Sequence, residues 1–250
     1  MFETTIPFGD PELMTVSAFR RYLNELAPTF GDVTAHSTRL SSLSPSLTAD
    51  LMRFERDGAA PEVLEVLAAC VRHARPAALH LDVDGKVVPL TVFPQERLVH
   101  CPVDTAMLLS TSTGVLPVLQ VEAAVLRPPG DRQHSLVGAA ELHRPLGPLL
   151  WALALHGSRA DLLPEIAGPA AYRVAPGLDT EDLSLRGLLL AAVRRLQSTT
   201  STVRDIALWP GFDRSRATRL LNGLYLQSSL IVSRTHPGAF SDAWFGSRGR

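Results

Sequence analysis

Hydrophobic residues recur at helical spacing in four parts of the chain. Residues 15–26 carry one such stripe, and Thr15 stands where its hydroxyl can cap the helix. Residues 61–74 and 145–157 repeat the pattern, and residues 183–196 supply a fourth apolar face. The spacing therefore predicts four amphipathic helices distributed along the whole chain.

Alternation of apolar and polar residues predicts strands between these helices. In residues 77–93 every second position is apolar up to Asp84-Gly85, a pair that favours the tight turn of a β-hairpin. Residues 115–126 form a second β segment, in which Pro117 favours an edge strand or a strand end. Residues 135–142 are a further strand candidate. Helices interspersed with antiparallel strands predict an α+β fold in which helices pack on the sheet.

Changes in composition divide the chain into three parts. Residues 1–144 hold the strands and the first helices, and we expect them to form an α+β domain. Within it, the Ser- and Thr-rich residues 34–48 are typical of a loop or linker. Residues 145–182 are expected to be connecting helices, including a short one at 160–167, and an acidic linker. Residues 183–250 are expected to form a winged-helix-like helical domain with a tail.

The segment from Thr202 to Arg234 has the clearest local signals. Thr202 and Asp205 have the spacing of a capping box, which satisfies amide groups at a helix start. Trp209-Pro210-Gly211 breaks this short helix, and Asp213 is placed to cap a second one. A β-branched run at 230–232 then predicts a strand. The order helix, turn, helix and strand predicts a helix-turn-helix followed by a wing.

Residues 183–234 resemble the degenerate winged-helix modules at the end of bacterial signalling proteins of the PatA-like, gliding-motility type. The matching positions are Val203, Ile206, Ala207, Gly211, Ala217, Leu220, Leu221, Leu224, Leu230 and Ile231. The resemblance implies a winged-helix fold and a role in regulation or protein interaction in a bacterium. Proteins of this kind work beside small GTPases or two-component signalling proteins.

Charge adds a candidate binding face to this picture. The chain has a net charge of -1, yet residues 184–234 contain eight arginines and two aspartates. With the apolar stripe of the second helix turned inward, a helical wheel leaves a polar face and Leu226 outward. The candidate nucleic-acid or partner-binding residues are Arg204, Arg214, Ser215, Arg216, Thr218, Arg219, Asn222 and Leu226.

These residue types fit two different partners. Arg219 has the chemistry to read guanine and Asn222 to read adenine, while the neighbouring arginines would neutralise phosphates. Leu226 lies toward the same face of the wheel, and an apolar residue there favours a protein partner. Protein and DNA therefore stay open as partners of the same helix.

No familiar catalytic motif occurs in the sequence. It lacks a Gly-rich phosphate loop, H-E-x-x-H and G-x-S-x-G, so we expect no cofactor and no metal. The two cysteines lack C-x-x-C spacing, which argues against a disulfide framework. An enzyme hypothesis would need His80 and Asp82, on one side of the first predicted strand, to converge with His100 from another strand. Alternating polar residues of this kind are otherwise typical of a strand face that is open to solvent.

The sequence as a whole favours a cytoplasmic protein that binds instead of catalysing. No apolar run approaches the roughly 20 residues that span a bilayer, and the amino terminus lacks the pattern of a secretory signal. We therefore expect a non-enzymatic bacterial regulatory or adaptor protein that acts through protein–protein interaction without membrane insertion. The alternative is a DNA-binding transcriptional regulator that uses the helix over 214–226.

Overall fold

The protein has an α+β fold, as the order of its sequence patterns predicted. The computed structural model describes residues 13–26, 43–56, 62–105, 108, 116–130 and 139–239. Its longer helices are α1 (Val16–Leu26), α2 (Pro45–Arg56), α3 (Val63–His73), α4 (Leu146–His156), α5 (Gly187–Ser198), α6 (Val203–Ala207) and α7 (Arg214–Leu226). The strands are β1 (Ala77–Val83), β2 (Lys86–Phe93), β3 (Leu98–His100), β4 (Val118–Ala123), β5 (His143–Pro145), β6 (Ala171–Val174), β7 (Ser201–Thr202) and β8 (Leu230–Ser233).

Five strands form an antiparallel sheet in the order β4-β1-β2-β3-β5. The predicted hairpin is β1-β2, with Val83 opposite Lys86 and positive φ angles at Asp84 (51°) and Gly85 (77°). Two consecutive left-handed residues match the twist of the flanking strands, which is why Asp-Gly favours this turn. β4 begins after Pro117 and lies at the sheet edge, so the edge assignment is also confirmed.

Helix α1 covers the face of the sheet that carries the polar residues of β1. Phe19 stacks on the ring of His80 with 4.9 Å between centroids, and Val16 and Phe19 form a small cluster with Val87. The alternation in β1 had suggested that this face is open to solvent. That expectation was wrong for His80, which is buried.

The opposite face of the sheet belongs to a continuous hydrophobic cluster that reaches from α2 to α7. The cluster includes the inward side chains of β1 and β2, the apolar face of α3, and Trp151 of α4. It continues into Leu220 and Leu221 of α7. The residues of the two expected domains and of the connector thus share one core, while the boundaries at 144 and 182 stay a prediction.

Three local expectations were wrong. Helix α2 begins at Pro45, inside the segment 34–48 predicted as a loop, because Ser44 Oγ accepts from the amide of Leu47 (3.4 Å) and proline suits a first helical position. Residues 34–42 lie outside the described part. Residues 160–167 form turns instead of a helix, and Pro164 within them cannot donate an amide. Of the strand expected at 135–142, residues 135–138 lie outside the described part, and residues 140–142 are a 3₁₀ turn.

The local signals of the carboxy-terminal segment are confirmed. Thr202 Oγ1 accepts from the amide of Asp205 (3.2 Å), and Asp205 Oδ2 accepts from the amide of Thr202 (2.9 Å), which completes the capping box. Asp213 Oδ1 accepts from the amide of Arg216 (2.7 Å) at the start of α7. Gly211, with a φ of 77°, makes the turn between the two helices.

Strand β8 closes a second, smaller antiparallel sheet. Its order is β7-β6-β8, so the partner of β8 in the described residues is β6, which precedes α5 in the chain. The strand that was predicted as a wing is thus an edge of this three-stranded sheet. No helix in the described residues is long and apolar enough to cross a membrane.

Candidate partner-binding surface

The predicted polar face of α7 is closed by the segment that follows α4. The side chain of Asn222 is fully buried: its Oδ1 accepts from the amide of Leu163 (2.9 Å) and its Nδ2 donates to the carbonyl oxygen of Asp161 (2.9 Å). Thr218 Oγ1 donates to the carbonyl oxygen of Ala160 (2.5 Å). Because residues 160–163 do not form a helix, their backbone groups need outside partners, and α7 supplies them.

Helix α4 covers the rest of this face. Arg219 is half-buried and donates through Nη1 to the carbonyl oxygen of Leu155 (2.8 Å), in the last turn of α4. A side chain at Gly223 would come within 2.8 Å of the Trp151 ring, so the two helices approach closely there. Leu226 is fully buried.

The outward assignment of Thr218, Asn222 and Leu226 was therefore wrong. A helical wheel places one side of α7 inward, but two different elements pack against α7 and bury both sides. Arg219 and Asn222 are committed to backbone carbonyl and amide groups of the same chain. In this structure the buried side chain of Asn222 is not available to contact the edge of a base.

The other predicted residues lie at the surface, in α6 for Arg204 and in the first turn of α7 for the rest. Arg204, Arg214 and Arg216 are exposed, and Ser215 is half-buried. Arg216 Nη1 donates to the carbonyl oxygen of Gly211 (2.6 Å), which holds its guanidinium against the turn between α6 and α7. Arg216 therefore places a positive charge at this turn.

The same turn carries an exposed apolar patch that the sequence interpretation missed. Leu208 is 77% exposed, Leu188 of α5 is 54% exposed, and Pro210 is exposed as well. A side chain at Gly211 would come within 2.6 Å of Leu188 Cδ1, so Leu188 packs directly on the turn. We call Leu188, Leu208 and Pro210, together with the arginines Arg195 and Arg216, the Leu208 surface.

An open groove of about 410 Å³ runs beside Leu208. It is lined by Arg195, Thr199, Ser201, Asp205, Leu208, Trp209 and Pro210. The Arg195 guanidinium lies over the Trp209 ring, 4.5 Å from its centroid, as a cation–π pair. Asp205 is the acidic side chain of this lining, and its carboxylate is engaged in the capping box. The groove thus combines an apolar wall with an ordered arginine.

The sequence indicates that Leu208 lies at a turn, but it does not indicate that Leu208 is exposed. The predicted turn Trp209-Pro210-Gly211 follows Leu208, and Leu208 falls after the last turn of α6, where the buried stripe has ended. Its neighbour Trp209 is buried and meets Phe212 edge-on, with 6.1 Å between ring centroids. A leucine beside a buried tryptophan is most simply assigned to the core, but Leu208 is exposed while Trp209 is buried.

The three residues of the enzyme hypothesis do not form one site. His80 Nε2 lies 3.0 Å from Glu122 Oε1, and Asp82 Oδ1 accepts from the amide of Gly85 in the hairpin turn. His100 is two strands away, a separation of about 10 Å. The described residues contain no group of three side chains suited to hold a metal ion.

His100 instead contacts another histidine. Its ring meets the ring of His143 edge-on, with 4.9 Å between centroids, across the β3-β5 pairing. Burial, and secondarily the proximity of His143, lowers the pKa of His100. The neutral form of this buried imidazole is therefore favoured.

Comparison of the chain with protein-family models, with curated proteins and with solved structures finds no match. The resemblance of residues 183–234 to winged-helix modules therefore stays a prediction.

Proposed function

We propose that this protein is a non-enzymatic regulatory or adaptor protein of the bacterial cytoplasm that acts by binding another protein. The observation that carries the proposal is the Leu208 surface, where Leu208 and Pro210 are exposed on an ordered turn and the exposed Leu188 of α5 packs against the same turn at Gly211. Exposed apolar residues that cluster, in contrast to those scattered singly, mark sites of protein contact.

Two further features support binding through this surface. The turn is held by the capping box below it and by the hydrogen bond from Arg216 to Gly211, so Leu208 is presented by a rigid element. Binding to a preorganised surface costs less conformational entropy than binding to a mobile loop. The winged-helix-like unit would then act as a platform for a partner, with its second helix committed to the core.

The test is a comparison of two matched variants. Leu208→Asp puts a charge in the centre of the surface, and Val125→Asp, at a residue 63% exposed in another part of the chain, is the control. Tagged wild-type and variant proteins are used to capture partners from the source cell, and each partner identified is purified and reconstituted. A partner that binds wild type and Val125→Asp, but binds Leu208→Asp at least about tenfold more weakly, supports the proposal.

Equal affinity of every reconstituted partner for the two variants would refute this surface as the binding site. Retention on duplex DNA that weakens with salt, and is unaffected by Leu208→Asp, would favour a nucleic-acid partner instead.

A further inference from the structure

The Leu208 surface has a charge pattern that narrows the kind of partner it fits. Its two arginines contact the turn at two different residues: Arg195 lies over Trp209, and Arg216 donates to the carbonyl oxygen of Gly211. In the part of the chain that the structure describes, neither guanidinium pairs with a carboxylate. Both retain donors that can bind a carboxylate from outside.

The carboxylates nearest to this surface are occupied by helix capping. Asp205 accepts from the amide and hydroxyl of Thr202, and Asp213 accepts from the amide of Arg216. These hydrogen bonds leave both carboxylates charged, but the exposed arginines between residues 188 and 216 outnumber the two aspartates five to two. The surface therefore presents apolar side chains and positive charge outward.

We propose that the Leu208 surface binds an acidic amphipathic segment of a partner protein. A large apolar side chain of that segment would pack on Leu188 and Leu208, and carboxylates on either side of it would pair with Arg195 and Arg216. This inference rests on the function proposed above and adds the chemistry of the partner.

The geometry favours an acidic protein segment over the other anions that arginines bind. A phosphate backbone complements Arg195 and Arg216 but gives nothing to cover Leu208, which is 77% exposed. The helix that would enter a groove of duplex DNA is closed by α4 and residues 160–163. An amphipathic peptide matches both the apolar centre and the charged flanks, as in helix-in-groove recognition.

The probe is a library of random peptides, each of about four helical turns, displayed on phage and panned against the immobilised full chain. Counter-selection on the immobilised Leu208→Asp protein removes peptides that bind elsewhere on the chain. Enriched peptides are then synthesised, and their affinities are measured by fluorescence anisotropy. Arg195→Glu and Arg216→Glu test the charge, and Arg75→Glu, at an exposed residue far along the chain from the surface, is the control.

We expect the enriched peptides to combine large apolar residues with flanking Asp or Glu. Leu208→Asp should weaken their binding at least about tenfold, and each arginine reversal should weaken it about fivefold. Arg75→Glu and Val125→Asp should leave it unchanged. Binding should also weaken as salt is raised, and less so in Arg195→Glu, because part of the attraction is then absent.

Two results separate this inference from the proposed function. Leu208-dependent peptides that are neutral or basic overturn the acidic partner and leave protein binding through this surface intact. If no peptide depends on Leu208 for binding, the inference is overturned. If, in addition, the reconstituted partner binds Leu208→Asp and wild type with equal affinity, the proposed function is overturned too. Self-association of the chain, or binding of duplex DNA or anionic vesicles that requires Arg195 but not Leu208, also overturns it.

Discussion

The burial of the polar face of α7 can be tested by substituting Asn222. Asn222→Ala removes the acceptor of the buried Leu163 amide, and also the donor to the Asp161 carbonyl oxygen. That carbonyl oxygen keeps a second donor, Arg159 Nε at 3.1 Å, so the larger loss is at Leu163. A buried amide left without a partner costs about 1 to 3 kcal/mol, and the space left by the side-chain amide adds to this. We expect the two effects together to lower the free energy of unfolding by about 2 to 3 kcal/mol, the upper part of that range.

The measurement is urea unfolding of wild type and variant, followed by tryptophan fluorescence and circular dichroism. At this chain length the expected loss corresponds to a melting temperature lower by roughly 5 to 10 °C. Ser215→Ala, in the first turn of the same helix, is the control and should change the unfolding free energy by no more than about 0.5 kcal/mol. If Asn222→Ala were as stable as Ser215→Ala, the burial of Asn222 would be contradicted, because replacing an asparagine at the surface by alanine changes stability little.

Three further predictions follow from burial. Gly223→Ala should lower the melting temperature, because its methyl group would lie 2.8 Å from the Trp151 ring and overpacking of this kind costs about 1 to 3 kcal/mol. An unchanged melting temperature would mean that α4 and α7 are farther apart than in this structure. Burial raises the pKa of Cys70 to about 12 and that of Cys101 to about 11, so at pH 8 both thiols should resist Ellman's reagent until urea is added, and rapid labelling of the native protein would count against their burial. The pKa of His100 in the folded protein lies below its ordinary value of 6.5, so the unfolded chain binds the proton at a higher pH than the folded protein does. The free energy of unfolding should therefore fall as the pH drops below 6.5, and it should fall less in His100→Gln. Equal decreases in the two proteins would assign the effect to other groups.

Local structure could be predicted from the sequence wherever the signal lies within a few residues. The Asp84-Gly85 hairpin, the Thr202–Asp205 capping box and the Asp213 cap are each determined by hydrogen bonds or backbone angles inside one turn. The helix beginning at Pro45 could have been found in the same way, since Ser44 caps it. Composition, which suggested a linker there, was a poorer guide than capping.

The surroundings of α7 could not be predicted, because they depend on contacts between distant parts of the chain. Asn222 pairs with residues about 60 positions earlier, and Thr218 pairs with Ala160 at a similar separation. A helical wheel treats a polar residue as exposed, but an asparagine can equally supply the hydrogen bonds that an irregular segment lacks. The same limit explains Leu208, whose exposure depends on how the turn meets α5.

The proposed function depends most directly on the affinity of the reconstituted partner for three proteins, measured by isothermal titration calorimetry. We predict equal affinities for wild type and Val125→Asp, and an affinity at least about tenfold lower for Leu208→Asp with an unchanged melting temperature. Equal affinities for all three proteins would contradict the assignment of partner binding to the Leu208 surface.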